Sequence, residues 1–331
     1  MKLVTYSAGG LERLGALKDD RVCDLQQVAA AVFGDERPAF VSMLALIEGG
    51  DAALDEARDA LEAAPDDTLR PMADVTLRAP IPVPPQMRDT LCFEKHLEQA
   101  IGGMAKLRAE MAGSDPEKAY AEAEAAGMLA IPQIFYDQPI YYKSNRFAVS
   151  GPDEEVPWPS YSKYMDYEFE IACVLGKGGK DIKADDAASH IFGYTIFNDF
   201  SARDAQAKET LGFLGPAKGK DFDKANAMGP VLITADEIPD VSALEMIVRV
   251  NGQEMSRGTP GTMHWTFAQV IEWISQGETM YPGEIIGSGT VGDGCGLEHF
   301  RFLRHGDVVE LDCPQIGILR NRVTRSDGGN W

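Results

Sequence analysis

Short runs of alternating apolar and polar residues open the chain, at Lys2 to Tyr6, Leu14 to Leu17 and Val22 to Leu25, with Gly-Gly and Asp-Asp turns between them. Period-two alternation puts every second side chain on one face, so these runs predict a small antiparallel unit. The period then lengthens. Leu25 to Val32, Ala39 to Ile47 and Ala52 to Ala63 carry apolar residues at helical spacing, and Gly49-Gly50 is a natural stop for the second helix. After a strand-like run at Val75 to Leu77, the sequence Ala-Pro-Ile-Pro-Val-Pro-Pro at 79–85 cannot be helical and predicts an extended linker. This divides the chain into a small α/β accessory domain, 1–78, a linker, 79–86, and a larger domain, 87–331.

The larger domain begins with a helical tract, 97–126, broken at Gly113-Ser-Asp-Pro116, where Asp115 or Ser114 before Pro116 and Glu117 makes a fresh helix start. The resulting hairpin is rich in Ala, Glu and Lys and poor in large apolar residues. It reads either as a mobile lid over a site or as a plain surface hairpin. From Gln133 the period returns to two. Strands are predicted at 140–143, 147–150, 166–175, 193–199, 230–233, 246–250, 283–289, 308–311 and 317–323, with few helices, at 184–190, 202–211 and 266–275. Runs of strands with occasional helices predict an α+β protein whose main domain is a mostly antiparallel β-roll or mixed β-sandwich.

Within that pattern, Asp166, Glu168 and Glu170 break a strand at alternate positions, with Tyr167, Phe169 and Ile171 on the other face. Either this is a solvated edge, where alternating acids need no partner, or the face is enclosed. Enclosed carboxylates two residues apart lie roughly 7 Å from each other and repel, so a cation or a proton has to sit between them. Asp199 ends another strand just before a helix, with Ser201 as its expected N-cap and Arg203 and Gln206 three apart on one helix face. Gly287-Ser-Gly289-Thr-Val-Gly292 fits the dinucleotide-binding pattern literally, but Asp-Gly-Cys-Gly follows it instead of a helix, which excludes that function. It predicts a glycine loop that lets a ligand approach the backbone.

The charge narrows the partners. Of 331 residues, 52 are acidic and 31 basic, a net charge of -21, which repels phosphate backbones and anionic membrane surfaces and argues against nucleic acid and membrane partners. Five cysteines, odd in number and without a C-x-x-C spacing, argue against a disulfide framework or a zinc ribbon and fit a reducing cytoplasm. The first residues lack the apolar core of a signal peptide, so a cytoplasmic protein is expected.

Several stretches, taken together and in order, are specific. Asp-Tyr-Glu-Phe-Glu (166–170), Gly-Tyr-Thr-Ile-Phe-Asn-Asp-Phe-Ser-Ala-Arg-Asp (193–204), Gly-Lys-Asp-Phe (219–222), Met-Gly-Pro (228–230), Gly-Ser-Gly-Thr (287–290) and Gly-Ile-Leu-Arg-Asn-Arg-Val (317–323) resemble the fumarylacetoacetate hydrolase family. The likeness covers nearly all of the chain from Met87 to Val323. It implies a divalent metal, Mg²⁺ or else Mn²⁺ or Ca²⁺, held by Glu168, Glu170 and Asp199, with Asp89, seven residues before His96, as a further ligand. It makes His96 the general base, places Lys220, Arg203 and Gln206 around the substrate with Tyr142 and Thr290 as contacts, and implies a homodimer.

A base needs an orienting acid. The family's decarboxylase branch has a Glu three residues after the His, where this chain has Gln99; Glu298, downstream of the glycine loop, is the candidate here. Without the likeness, His96 would be a surface residue, Lys220 a solvated charge, Asp89 a turn cap and Glu298 an ordinary strand residue. His190, His264, His299 and His305 match nothing in the pattern. The reaction the resemblance puts first is hydrolysis of a carbon–carbon bond in a small β-diketo acid, of the acylpyruvate or fumarylacetoacetate kind. Decarboxylation or tautomerisation of oxaloacetate and dehydration of a sugar acid are the alternatives, and a catalytically silent, metal-stabilised binding protein is the reading from another class.

Overall fold

The opening runs form β1 (Lys2–Ala8), β2 (Leu11–Lys18) and β3 (Arg21–Asp24), a meander whose turns use positive φ at Gly9, Gly10 and Asp19. Asp24 ends β3 and caps α1 (Leu25–Phe33), its carboxylate accepting the Gln27 amide, and left-handed Gly34 closes the helix. Ser42 caps α2 (Met43–Glu48) in the same way, and α3 (Gly50–Ala63) follows after the Gly49-Gly50 corner. The computed structural model describes residues 1–325. The last residues of the 87–331 region, 326–331, lie outside the described residues.

Further on come β4 (Met87–Thr90), α4 (Glu94–Met111), α5 (Pro116–Ala125), β5 (Tyr141–Lys143), β6 (Phe169–Leu175), β7 (Ile191–Asp199), α6 (Arg203–Glu209), β8 (Asn226–Thr234) and β9 (Ile285–Gly287). Among the described residues the main sheet has twelve strands, and its path runs Leu69–Pro71, β3, β2, β1, β8, β7, β6, β9, β4, β5. Neighbours on this path are antiparallel except β9 and β4. Lys2 and Leu3 pair with Ile233 and Leu232, so residues before the 79–86 linker and residues after it share one sheet.

A second sheet of five strands, Gln253–Gly258, Met246–Val250, Val308–Cys313, Gly317–Thr324 and Glu155–Pro157, packs against the first. Strand β6 lies between two cores and is buried along its whole length. Phe169, Ile171 and Cys173 pack with Val248, Leu311 and Leu319 of the second sheet; Ala172 and Val174 pack on the other side with Val28, Leu46 and Ala57 of α1 to α3. Glu170 alternates with the first set, so the strand's one charge belongs to the second face. This α+β arrangement of mixed, mostly antiparallel sheets is the fold class expected. No described helix is long and apolar enough to cross a membrane.

Two local expectations are corrected. The strand expected at 166–175 is interrupted: Met165–Asp166 pairs with Ser201–Ala202, and β6 starts only at Phe169. The reason is side-chain competition for the backbone. Asp166 accepts the amide of Tyr167, and Asn198 Oδ1 takes the amide of Glu168, so neither amide is available to a ladder. Ser201 does not cap α6; its hydroxyl donates back to the Asp199 carbonyl, and the helix starts from Ala202 without a side-chain cap. The strand at Glu155–Pro157 was missed because it is only three residues long, and the one at Gln253–Gly258 because it is largely polar.

The hairpin expected at 97–126 is present as α4 and α5. Its two helices differ in how they are held. Leu107 of α4 is fully buried against Ala207, Cys295 and Leu297, whereas α5 contributes no buried residue. Two glycines set this arrangement: a Cβ on Gly102 would lie 2.7 Å from the Tyr120 ring of α5, and one on Gly103 2.2 Å from the Leu297 carbonyl. Each costs about 1 kcal/mol of helix propensity relative to Ala, offset by close approach.

Candidate active site

The sheet's register gathers the acids. Asp89 of β4 lies beside Gly287 of β9 on one side and Tyr142 of β5 on the other, while β9 in turn flanks β6 through Ala172. The Asp199 amide bonds the Glu168 carbonyl, which brings the end of β7 to the start of β6. As a result, carboxylate oxygens of Asp89, Glu170 and Asp199 lie within 4.8 Å of one another, all three residues buried. Gly287 is what makes the room: a Cβ there would sit 2.5 Å from Asp89 Oδ1 and 2.7 Å from Glu170 Oε2. The glycine loop then covers the cluster. Gly289, at φ 74°, donates its amide to Glu170 at 2.9 Å and to Asp89 at 3.3 Å.

Glu168 stands beside this cluster with different partners. Lys220 Nζ donates to Glu168, to the Asp199 carboxylate at 2.6 Å and to the Asp199 carbonyl at 3.3 Å. Arg203 reaches the other Glu168 oxygen at 2.7 Å. Its Nε and Nη2 both hold Asp166 at 2.8 Å, and its Nη1 donates to Gln206 at 3.0 Å. Asp166 therefore does not join the acid cluster; it anchors Arg203 and accepts the amides of Gly296 and Leu297.

These settings push the carboxyls in opposite directions. Burial, then the neighbouring Asp89, lifts Glu170 well above the ordinary carboxylate range. Burial likewise raises Asp89, and takes Asp199 to about 7 against the pull of Lys220. Glu168 is the reverse: burial works to raise it, but Arg203 and Lys220 outweigh that and hold it at about 2.

The cluster has the properties of a divalent-cation site. Three like-charged groups are enclosed together, and Glu170 Oε1 and Asp199 Oδ1 are buried without any hydrogen-bond partner. Among the described residues no Lys, Arg or His forms an ion pair with Asp89 or Glu170. An all-oxygen donor set suits a hard cation such as Mg²⁺ or Mn²⁺. Tyr142 also faces the cluster, its hydroxyl donating to Asp199.

His96, in the first turn of α4, lines the same cavity as Asp89 and Glu168. Its Nδ1 lies 2.9 Å from Glu298 Oε1, and the other Glu298 oxygen accepts the Cys295 amide at 2.9 Å, so the acid is itself held. The contact follows from the close seating of α4 on Leu297 through Gly103. Gln99 points elsewhere, into hydrogen bonds with Asp293. A cavity of about 250 Å³ is lined by Asp89, His96, Tyr142, Glu168, Gln206, Lys220 and Thr290, with Leu91, Ile140 and Pro216 forming an apolar part of the wall. Of the residues singled out in the sequence, Glu170, Asp199 and Glu298 stand behind this wall, and Arg203 is behind it too, holding Gln206 and Glu168 in place. Sequence reasoning missed Asp166, Gly103 and Gly287 as parts of the site. Asp166 and Gly287 lay in stretches already under scrutiny; Gly103 did not.

The fumarylacetoacetate (FAA) hydrolase C-terminal model matches residues 117–324. An oxaloacetate tautomerase, YisK, of Bacillus subtilis (strain 168) is 32% identical over 316 residues, 93% of this chain and 94% of that protein. The human mitochondrial oxaloacetate tautomerase FAHD2A is 38% identical over 194 residues, 56% of this chain and 59% of that protein. Maleylpyruvate hydrolase from Sphingobium sp. SYK-6, whose structure is a complex with manganese (II) ion and pyruvate, superposes with a TM-score of 0.69 at 21% identity, covering 98% of this chain and 99% of that one. The chain belongs to the fumarylacetoacetate hydrolase family.

Proposed function

We propose that this chain is an oxaloacetate tautomerase, moving a proton between C3 and the oxygen at C2 of a small 2-keto acid. The carbon–carbon hydrolase put first by the sequence gives way to the alternative, because two relatives, one matched over nearly its full length, are tautomerases. The observation that carries the reading is that His96, held by Glu298, and Asp89 of the carboxylate cluster line one cavity of about 250 Å³. That volume suits an acid of a few carbons, and proton transfer needs a base on one side and an oxygen-binding site on the other, with no nucleophile.

Asp89, Glu170 and Asp199 would hold a divalent cation, with Glu168 beside them. When bound, such a cation supplies Lewis acidity to the keto and carboxylate oxygens of a 2-keto acid, which makes the adjacent C3 methylene easier to deprotonate. The chain's own groups do the rest. Glu298 fixes His96 through Nδ1, which leaves Nε2 as the nitrogen that takes the proton from C3. Lys220, whose charge is upheld by Asp199 and Glu168 against the effect of burial, would set that positive charge beside the negative charge that develops on the C2 oxygen, and the Gln206 amide would donate to it. The proton lost at C3 reappears on that oxygen, and the net change is an isomerisation. Assembly as a homodimer is part of the proposal, and sedimentation tests it.

The experiment is ketonisation of enol-oxaloacetate, followed by its ultraviolet absorbance on protein loaded with Mn²⁺ or Mg²⁺. His96→Asn is expected to lower kcat by about 10²- to 10⁴-fold, the usual share of a general acid–base group. Release of CO₂ would support the decarboxylase instead, and cleavage of an acylpyruvate without action on enol-oxaloacetate would support the hydrolase. Metal binding without turnover of any keto acid would leave the binding protein.

A further inference from the structure

Helix α6 carries Arg203, Gln206 and Glu209 three residues apart, so one stripe of the helix faces the site and its approach. Glu209 does not touch the cavity. Its carboxylate accepts three successive backbone amides: Ala217 at 3.0 Å, Lys218 at 2.6 Å and Gly219 at 3.1 Å. The next residue is Lys220.

The segment from 211 to 220 is thereby split in two. Leu211, Phe213 and Leu214 are 63%, 97% and 82% exposed, an unpacked tongue whose end, Gly215 and Pro216, lines the cavity mouth. From Ala217 onward the backbone is fixed. Tyr161 donates to the Lys218 carbonyl at 2.6 Å, and the Gly219 carbonyl accepts the Ala202 amide at 2.8 Å. Gly219 is pressed on Gln206 so closely that a Cβ would lie 2.7 Å from the Gln206 Cβ.

We propose that Glu209 is a positioning residue for the reaction: it clamps the base of this loop so that Lys220 stays aimed at Glu168 and Asp199 below the exposed tongue. A carboxylate is required because three donors converge on it. Glutamine, of the same size, would offer one oxygen and turn an NH₂ group toward an amide, leaving donors opposed. The catalytic consequence rests on the tautomerase reading, since it is there that Lys220 faces substrate; the clamp itself does not.

The test uses the full chain loaded with Mn²⁺ and two measurements on wild type, Glu209→Gln and Glu209→Ala. The first is kcat and KM for enol-oxaloacetate; the second is amide hydrogen exchange of the 217–220 backbone. A misaimed Lys220 is expected to lower kcat by about 10- to 100-fold with KM changed by less than about threefold, and Gln is expected to be as poor as Ala. Exchange at 217–220 should quicken in both variants while the sheet strands keep their protection. Wild-type kcat in Glu209→Gln, or unchanged exchange at 217–220, would overturn the inference. So would exchange that quickens throughout the sheet, which marks a folding defect. An inactive wild type whose variants nevertheless show faster exchange at 217–220 would sink the tautomerase reading and leave the clamp standing.

Discussion

Removing the Arg203 guanidinium isolates what the site's framework is worth. Arg203 is fully buried, hydrogen-bonded to Asp166 through Nε at 2.8 Å and ion-paired with Asp166 through Nη2 at 2.8 Å and with Glu168 through Nη1 at 2.7 Å. In Arg203→Met, Glu168 keeps Lys220, but Asp166 keeps only neutral donors, the amides of Tyr167, Gly296 and Leu297. One carboxylate is then stranded in the interior, and breaking a buried pair in this way costs about 3–5 kcal/mol. Since whole domains are stable by about 5–15 kcal/mol, the loss is visible in any equilibrium unfolding curve. Asp166→Asn removes the charge while keeping an acceptor for the loop amides. Combined with Arg203→Met, it should therefore cost about 1–3 kcal/mol less than the two single changes summed. The assay is urea unfolding followed by tryptophan fluorescence, comparing midpoints at equal slope. A cost below about 1 kcal/mol for Arg203→Met, or strict additivity in the double variant, would refute the idea that Arg203 is held by charge rather than by packing.

Three further outcomes are expected. Metal-stripped protein given Mn²⁺ at a hundred times its dissociation constant should gain about 2.7 kcal/mol in stability, and Glu170→Gln should lose most of that gain in a thermal melt. Gly287→Ala, which drives a methyl group into Asp89 and Glu170, should weaken Mn²⁺ binding by at least about tenfold in calorimetry and cost about 1–3 kcal/mol. Leu107→Ala should cost about 2–5 kcal/mol by leaving a cavity between α4 and Leu297, whereas alanine at exposed positions of α5 should change stability by less than about 0.5 kcal/mol.

Periodicity made the elements legible: α1, α3, the hairpin and most strands follow their apolar spacing, and Asp24, Ser42 and Asp115 cap where a short polar residue precedes a helical run. What failed was local competition. Asp166 and Asn198 spend their side chains on neighbouring amides, so a strand that looks continuous in sequence is cut. The site residues lie on elements far apart in the chain, and only motif likeness put them on one page. The pattern offered Glu298 as the acid for His96, and the two do meet; what it could not show is that Gly103 lets α4 settle on Leu297 beside it. Glu209 is legible only in three dimensions; in sequence it is one more charge on a short helix.

The pairing of β1 with β8 also governs how this protein is to be handled as a piece. A chain begun at the proline-rich segment would keep all the acids, His96 and Lys220, yet it would expose the flank of β8 at Leu232 and Ile233, where Leu3 and Lys2 now lie. An uncovered flank beside the acid-bearing strand invites any passing strand to complete it. Such a fragment would fail by sticking to its own copies before its chemistry could be assayed, so the first residues serve the last ones as a built-in guard against self-association.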